Sequence, residues 1–228
     1  MTEFLLLAAE RDESPTQARA VLEARARFTA ELHRMGAFLD TEQLRPSSEA
    51  VRISNPSGTP IVVRGPFTNA IGTYWVLRAD DAKQASELAA RLPLGGGEQL
   101  ELRPVMKGAH APAKTDAVGK VFAFGVLGNA PNEAAWTRVM DAIDADTQDG
   151  FGEAFIAGVR LEAPSTGRLL TNQHGKPVTL DGPFLESKEV IGGFFFMRFA
   201  GFDDAVAWAS TTAFARRGTI EVREVWRA

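Results

Sequence analysis

Two short charged strings stand near the ends of the two halves of this sequence: Glu101-Leu102-Arg103-Pro104-Val105 and Glu221-Val222-Arg223-Glu224-Val225. Their alternation is that of a strand with two unlike faces. Leu100 and Leu102, like Ile220 and Val222, point one way; Glu101 and Arg103, like Glu221 and Arg223, point the other. Burying four such charges is costly unless they are paired or hold something polar. Two chemistries fit the pattern. Arginine forks facing a cavity would bind a carboxylate or phosphate of a small metabolite, or Glu and Arg satisfy one another as neighbouring ion pairs. Arg78 and Arg198 join that face if the phase of their strands allows it.

A second group, Asp181, Glu186, Lys188 and Glu189, surrounds and follows a Gly-Pro-Phe turn. Asp181, Glu186 and Lys188 are the candidates for acid–base catalysis, provided separation and burial divide the roles. Asp before Gly is equally an ordinary turn residue, and the charges after it can simply be solvated. His33, His110 and His174 are scattered, with no pair at helical i, i+4 spacing, so no metal site is expected. The chain has no cysteine, which removes thiolate chemistry and disulfides. No cofactor is expected either. Gly95-Gly96-Gly97 lacks the following Lys-Ser or Lys-Thr of a phosphate loop.

Charge excludes some partners. Lys and Arg number 25 against 29 Asp and Glu, without a dense basic block, so nucleic-acid binding is disfavoured. Phe194, Phe195, Phe196 and Phe199, with Tyr74 and Trp75, then read as core and not as a base-stacking platform. Phe4 to Ala9 follows Glu3 and ends at Glu10, which reads as a strand and not as a signal peptide. No run is long enough to cross a bilayer. The expectation is a cytoplasmic protein with no membrane or nucleic-acid partner, and with a small molecule as its ligand.

The elements that must position these residues occur twice. Arg64-Gly65-Pro66-Phe67 returns as Asp181-Gly182-Pro183-Phe184 at a spacing of 117, and Ile71-Gly72 returns as Ile191-Gly192 at 120. The Glu-x-Arg strings also stand 120 apart. Each copy begins with an apolar strand, Phe4 to Ala9 or Val121 to Leu127. In copy one a helix opens at Ser14-Pro15 and stops near Gly36; in copy two Asn132 is the cap candidate and Gly150 or Gly152 the stop. Second strands are read at Ala37 to Thr41 and Ala154 to Val159, with short extra strands at Ala50 to Ser54 and Arg168 to Thr171. Thr73 to Ala79 and Gly193 to Phe199 are apolar on both alternating faces and should be buried on both. Second helices begin at Asp80-Asp81 and Asp203-Asp204, and the Glu-x-Arg strands close each copy.

The order strand, helix, strand, strand, helix, strand is the ferredoxin-like arrangement, in which both helices cover one sheet face. The other face needs a cover, and a second copy supplies it. The predicted fold class is therefore α+β: two ferredoxin-like βαββαβ modules packed sheet to sheet as an intrachain dimeric α+β barrel. Residues 1–106 form one module and 119–228 the other. Residues 107–118, carrying Gly, Pro, Lys, Thr and several Ala, form the linker.

Asp181-Gly182-Pro183-Phe184-Leu185-Glu186-Ser187-Lys188-Glu189, Ile191-Gly192-Gly193-Phe194 and Gly218-Thr219-Ile220-Glu221-Val222-Arg223 closely resemble the signature of the DGPF branch of the YCII-related family. Copy one resembles it through Gly36, Leu44-Arg45-Pro46, Arg52, Gly65-Pro66-Phe67 and Glu101-Leu102-Arg103-Pro104-Val105. The resemblance implies a dimeric α+β barrel and little about activity. Copy two carries Glu162, Ala163 and Leu169 where copy one carries Arg45, Pro46 and Arg52. Divergence of a once symmetric pair with at most one intact composite site is expected. Its ligand-binding set is Arg52, Glu101, Arg103, Glu221 and Arg223. A small-molecule-binding protein, with or without cofactor-independent catalysis, and a non-catalytic module with a filled interior both remain open, as does further oligomerisation.

Overall fold

The computed structural model of the chain describes residues 1–10, 15–68, 70–94, 98–111, 119–128, 134, 136–137, 140, 154–173, 176–182 and 190–226. The first half runs β1 (Thr2–Ala9), α1 (Pro15–Arg34), β2 (Phe38–Gln43), β3 (Val51–Ser54), β4 (Ile61–Arg64), β5 (Ile71–Ala79), α2 (Ala82–Ala89) and β6 (Gln99–Ala111). The second runs β7 (Lys120–Gly128), β8 (Phe155–Leu161), β9 (Arg168–Gln173), β10 (Lys176–Asp181), β11 (Val190–Phe199), α3 (Phe202–Thr211), α4 (Ala213–Arg217) and β12 (Thr219–Glu224). The fold is α+β with an antiparallel sheet.

Local signals set the helix ends. α1 stops where Gly36 takes φ +67°, with Gly36 N–H donating to the His33 carbonyl and Ala37 N–H to that of Leu32. That pair of bonds satisfies carbonyls a helix end otherwise leaves open, and the left-handed residue between them favours glycine. At α2 the Asp81 carboxylate accepts from Gln84 N–H at 2.8 Å while the Gln84 side chain accepts from Asp80 N–H at 2.6 Å. α3 carries Asp203 and Asp204 in its first turn, where the helix dipole favours them. The cap candidates Ser14 and Asn132 and the glycines at 95–97, 150 and 152 lie outside the described residues.

The main strands of the two halves follow one plan. They lie in the orders β2-β5-β1-β6 and β8-β11-β7-β12, so each half places its second, third, first and last main strands side by side in that sequence. The halves are hydrogen-bonded together where β6 meets β8 and where Leu44 bridges Val225, with Trp226 N–H donating to Gln43 at 2.7 Å. The hairpins are exchanged: β3–β4 of the first half adds to β12, and β9–β10 of the second adds to β6. Ile61, Val62 and Val63 of β4 and Leu180 of β10 are all exposed on these outlying strands, although their apolar and mostly β-branched side chains suit strands.

The sequence places a linker at 107–118, but β6 continues through Ala111, pairing His110 with Val159 and Ala111 with Gly158. The segment's polarity hides a strand because its partner, β8, belongs to the other half. Residues 112–118 lie outside the described set.

Three apolar clusters divide the interior. Leu6, Trp75, Leu77, Leu100 and Leu102 pack beneath α1 and α2, with Phe28 and Leu32. Phe124, Phe195, Ile220 and Val222 pack beneath α3 and α4, with Ala205, Ala209 and Phe214. The third cluster joins Leu5, Leu7, Tyr74 and Val76 of the first half to Ala123, Val159, Phe194 and Phe196 of the second. β5 is thus buried on both faces, as its sequence predicts, and the aromatic run is core.

Tyr74 lies within this third cluster, 5.8 Å from the Phe194 ring and 5.6 Å from that of Phe196, with its hydroxyl 3.3 Å from Asp40 Oδ2. Burial, then the charges of Asp40 and Glu42, push its pKa well above the usual tyrosine value. The neutral form is the one the fold accepts. Its contribution to stability is therefore complete below the unfolded pKa of about 10 and is lost as pH rises through the folded value. Tyr74 is the only tyrosine in the chain. Alkaline titration followed by tyrosinate absorbance should show no ionisation until the fold opens, with absorbance and circular dichroism changing together; tyrosinate appearing near pH 10 in a folded chain would contradict this packing.

Candidate functional site

The faces of the Glu-x-Arg strands turned away from the helices carry two clusters built on one plan. Arg103 Nη2 donates to the Glu162 carbonyl at 2.8 Å, and Arg223 Nη1 donates to that of Arg45 at 3.3 Å. Each arginine thus clasps the opposite half at equivalent positions. Each also pairs with the glutamate two residues before it, Arg103 with Glu101 at 3.1 Å and Arg223 with Glu221. The side chains of Arg103 and Arg223 are 0% and 1% exposed. Burial lowers the pKa of Arg103, against the opposing pull of Glu101. Its guanidinium carbon stands 5.1 Å from the centre of the Trp136 ring.

Around Arg223 the cluster grows into a closed ring of six residues. Arg223 Nη1 also donates to the Ile71 carbonyl at 2.8 Å and to Glu10 Oε2 at 3.4 Å. Glu10 accepts from Ser47 N–H on both oxygens, at 3.0 and 2.8 Å. Ser47 Oγ accepts from Phe67 N–H at 3.2 Å. The Arg52 guanidinium lies over the Phe67 ring at 4.3 Å, and Arg52 Nε donates to Glu221 Oε2 at 2.9 Å. Glu221 then returns to Arg223. Arg52 sits there because β3 pairs with β12 in the register Arg52–Glu221, so hairpin exchange delivers it. Gly65 of the Gly-Pro-Phe turn is fixed by close approach: a Cβ there would lie 1.8 Å from the Ser47 carbonyl oxygen.

The structure therefore brings Arg52, Glu221 and Arg223 together and holds Glu101 and Arg103 in the other cluster. The two clusters share no residue among their described contacts. Asp181 is 81% exposed and pairs with Arg168 at 2.9 Å across the β9–β10 hairpin. Glu186, Lys188 and Glu189 lie outside the described residues. Arg78 is exposed, 3.8 Å from Glu3. A surface hollow of about 280 Å³ lies near the end of α1 and α2, lined by Arg78, Asp80, Gln84, Glu87 and Arg91 among others, and contains none of the residues expected to bind ligand. Among the described residues no group of three or more His, Asp or Glu could hold a metal ion. No described helix is long and apolar enough to cross a membrane.

Sequence reasoning missed Glu10 and Ser47. Glu10 was only the polar stop of a strand, and Ser47 only a loop residue. The readable signal was asymmetry: the repeat puts Gly128 opposite Glu10, since Glu10 N–H bonds Ala70 where Gly128 pairs with Val190, and it puts Pro164 opposite Ser47 at the head of matching 3-10 turns.

Among solved structures, an anthrone oxidase-like protein aligns over 99% of this chain and 92% of its own, at 11% identity and a TM-score of 0.46. A Fusobacterium nucleatum subsp. nucleatum protein provisionally named a monooxygenase aligns over 99% of this chain and 91% of its own, at 11% identity and a TM-score of 0.41. A search of curated proteins finds no match. The model of the YCII-related domain matches twice, over residues 2–108 and 134–228, which is the duplication seen in the spacing of motifs and in the strand orders. The chain belongs to the YCII-related domain family and carries that domain in tandem.

Proposed function

We propose that the protein binds a small polar metabolite at the ring of Glu10, Ser47, Phe67, Arg52, Glu221 and Arg223, where residues of both halves converge. We read the two four-strand groups as ferredoxin-like modules closed into an intrachain barrel, a reading supported by their common strand order and by the apolar cluster they share. The single observation that carries the binding proposal is the state of Arg52. Its side chain is 22% exposed, yet one edge is held by Glu221 and one face rests on Phe67. A guanidinium fixed in this way loses little freedom when it takes up a carboxylate or phosphate. Any chemistry on the bound molecule would be cofactor-independent and would draw on Glu10 at the ring's other open side.

The rival reading, a non-catalytic structural or regulatory module with a filled interior, draws on the apolar packing between the sheets. A thermal-shift screen of polar metabolites separates the two. A ligand at about a hundred times its Kd stabilises by about 2.7 kcal/mol, and replacing Arg52 by Leu should abolish the shift. An empty screen, or hits that survive Arg52→Leu, favours the rival.

A further inference from the structure

The exchanged hairpins end in two outer strands that the repeat makes equivalent, β4 and β10. β4 closes the path of strands, and β3 is its one strand partner among the described residues. Its Ile61, Val62 and Val63 are 52%, 46% and 52% exposed. β10 is the more polar of the two: it exposes Leu180, but Val178 is half-buried, Thr179 stands where β4 has Val62, and Asp181 is held by Arg168. A strand edge with bare β-branched side chains, and neither charge nor proline among them, is a template for a further strand.

Main-chain alternation decides how that strand can pair. Gly65 N–H donates to the Ala50 carbonyl at 3.0 Å, so in the β3–β4 register Ile61 and Val63 also turn their main-chain groups toward β3. Val62 and Arg64 therefore turn theirs to the open edge. Pro60 and Pro66, each without an N–H, bound this stretch at either end. Suppose the incoming strand is β4 of a second copy, antiparallel. Val62 set against Val62 brings Arg64 against Pro60. Arg64 set against Arg64 joins like charges and brings Val62 against Pro66. Val62 set against Arg64, and Arg64 against Val62, fills both outward positions of both copies and puts the two-fold axis at Val63. There Val63 meets Val63 of the second copy in the close, non-hydrogen-bonded spacing. The two Arg64 residues then lie on a diagonal, exposed to solvent where salt screens them.

We infer that the protein forms a two-fold dimer through β4, in this register. The contact repeats one the chain already makes: β3 adds to β12 of the opposite half, and β4 of the second copy is the next strand out in the same ladder. Glu221, Arg52 and Val63 stand side by side across that ladder, so the row runs through the axis into its own reverse. The rings of the two copies thus share one sheet face, with their Arg52 residues three strand spacings, roughly 14 Å, apart. The dimer does not depend on what the ring binds. Its interface is small, which makes it a weak, concentration-dependent association and not an obligate one.

Sedimentation of the full chain at concentrations up to about 1 mM tests this. The mass should rise from 24.6 kDa toward twice that value. Val63→Lys and Val63→Glu each set like charges face to face at the axis and should each leave the chain monomeric. Mixed in equal amounts, the two variants should associate about tenfold or more tighter than either does alone, because opposite charges then meet. Leu180→Lys, at the equivalent position of β10, should leave the dimer unchanged, and circular dichroism checks that all three variants stay folded. A chain monomeric at every concentration overturns the proposal and leaves the edge to a strand of another protein. A dimer that survives Val63→Lys, that Leu180→Lys abolishes, or that the mixed variants fail to restore overturns the pairing of β4 with β4.

Discussion

Replacing Arg223 by Met should destabilise the chain by about 3–5 kcal/mol, the range for removing one partner from a buried ionic network. Arg223 is 1% exposed and serves Glu10, Glu221 and the carbonyls of Ile71 and Arg45. Methionine fills part of the volume and supplies no donor. Glu221 would keep Arg52 at 2.9 Å, but the two carbonyls would lose a charged donor in a region water barely reaches. Arg52→Leu, which removes a part-exposed partner of Glu221, should cost about 1 kcal/mol or less, as partly exposed pairs do. Urea unfolding of the two variants gives the comparison, with the shift in midpoint at constant slope as the readout. Equal costs for Arg223 and Arg52 would mean that Arg223 does not anchor the halves.

Gly193→Ala should be at least as damaging, costing about 4 kcal/mol or more, or preventing accumulation of folded protein. Gly193 takes φ +152° at a bulge of β11, and a Cβ there would lie 2.2 Å from the Val159 carbonyl oxygen and 3.0 Å from the Arg160 Cα. Both obstacles are backbone of β8, the strand paired with β11 at this point. No side-chain rotation relieves the overlap, so the strands must part. Gly58→Ala supplies the control: φ is +86° with open space around the site. Only the left-handed backbone penalty of about 1–2 kcal/mol applies there. Thermal midpoints of the two variants should differ widely; similar midpoints would mean that β8 and β11 are not in this register.

Much of the fold was legible because burial imposes period. The alternation in Glu101-Leu102-Arg103 fixed which side chains enter the helix-covered core, and Leu100 and Leu102 lie there. The double-sided hydrophobicity of Thr73 to Ala79 gave a strand buried on both faces, and Gly36 gave a helix stop. What escaped was long-range pairing. A hairpin such as β3–β4 has the same sequence whether it extends its own sheet or the other one, so nothing local placed Arg52 beside Glu221. The expected set of Arg52, Glu101, Arg103, Glu221 and Arg223 is divided between two clusters among the described contacts for the same reason: Arg103 and Arg223 are equivalents under the repeat, each turned toward the opposite half. Glu10 became visible only when Gly128 could be set against it through strand register.

The traded hairpins make each half a borrower from the other. A polypeptide severed between the repeats would yield two fragments, each holding the outermost strands of its counterpart's sheet. Each fragment would lack the hairpin that extends its own sheet, so the two are expected to regain structure better together than apart, which co-refolding followed by circular dichroism would check.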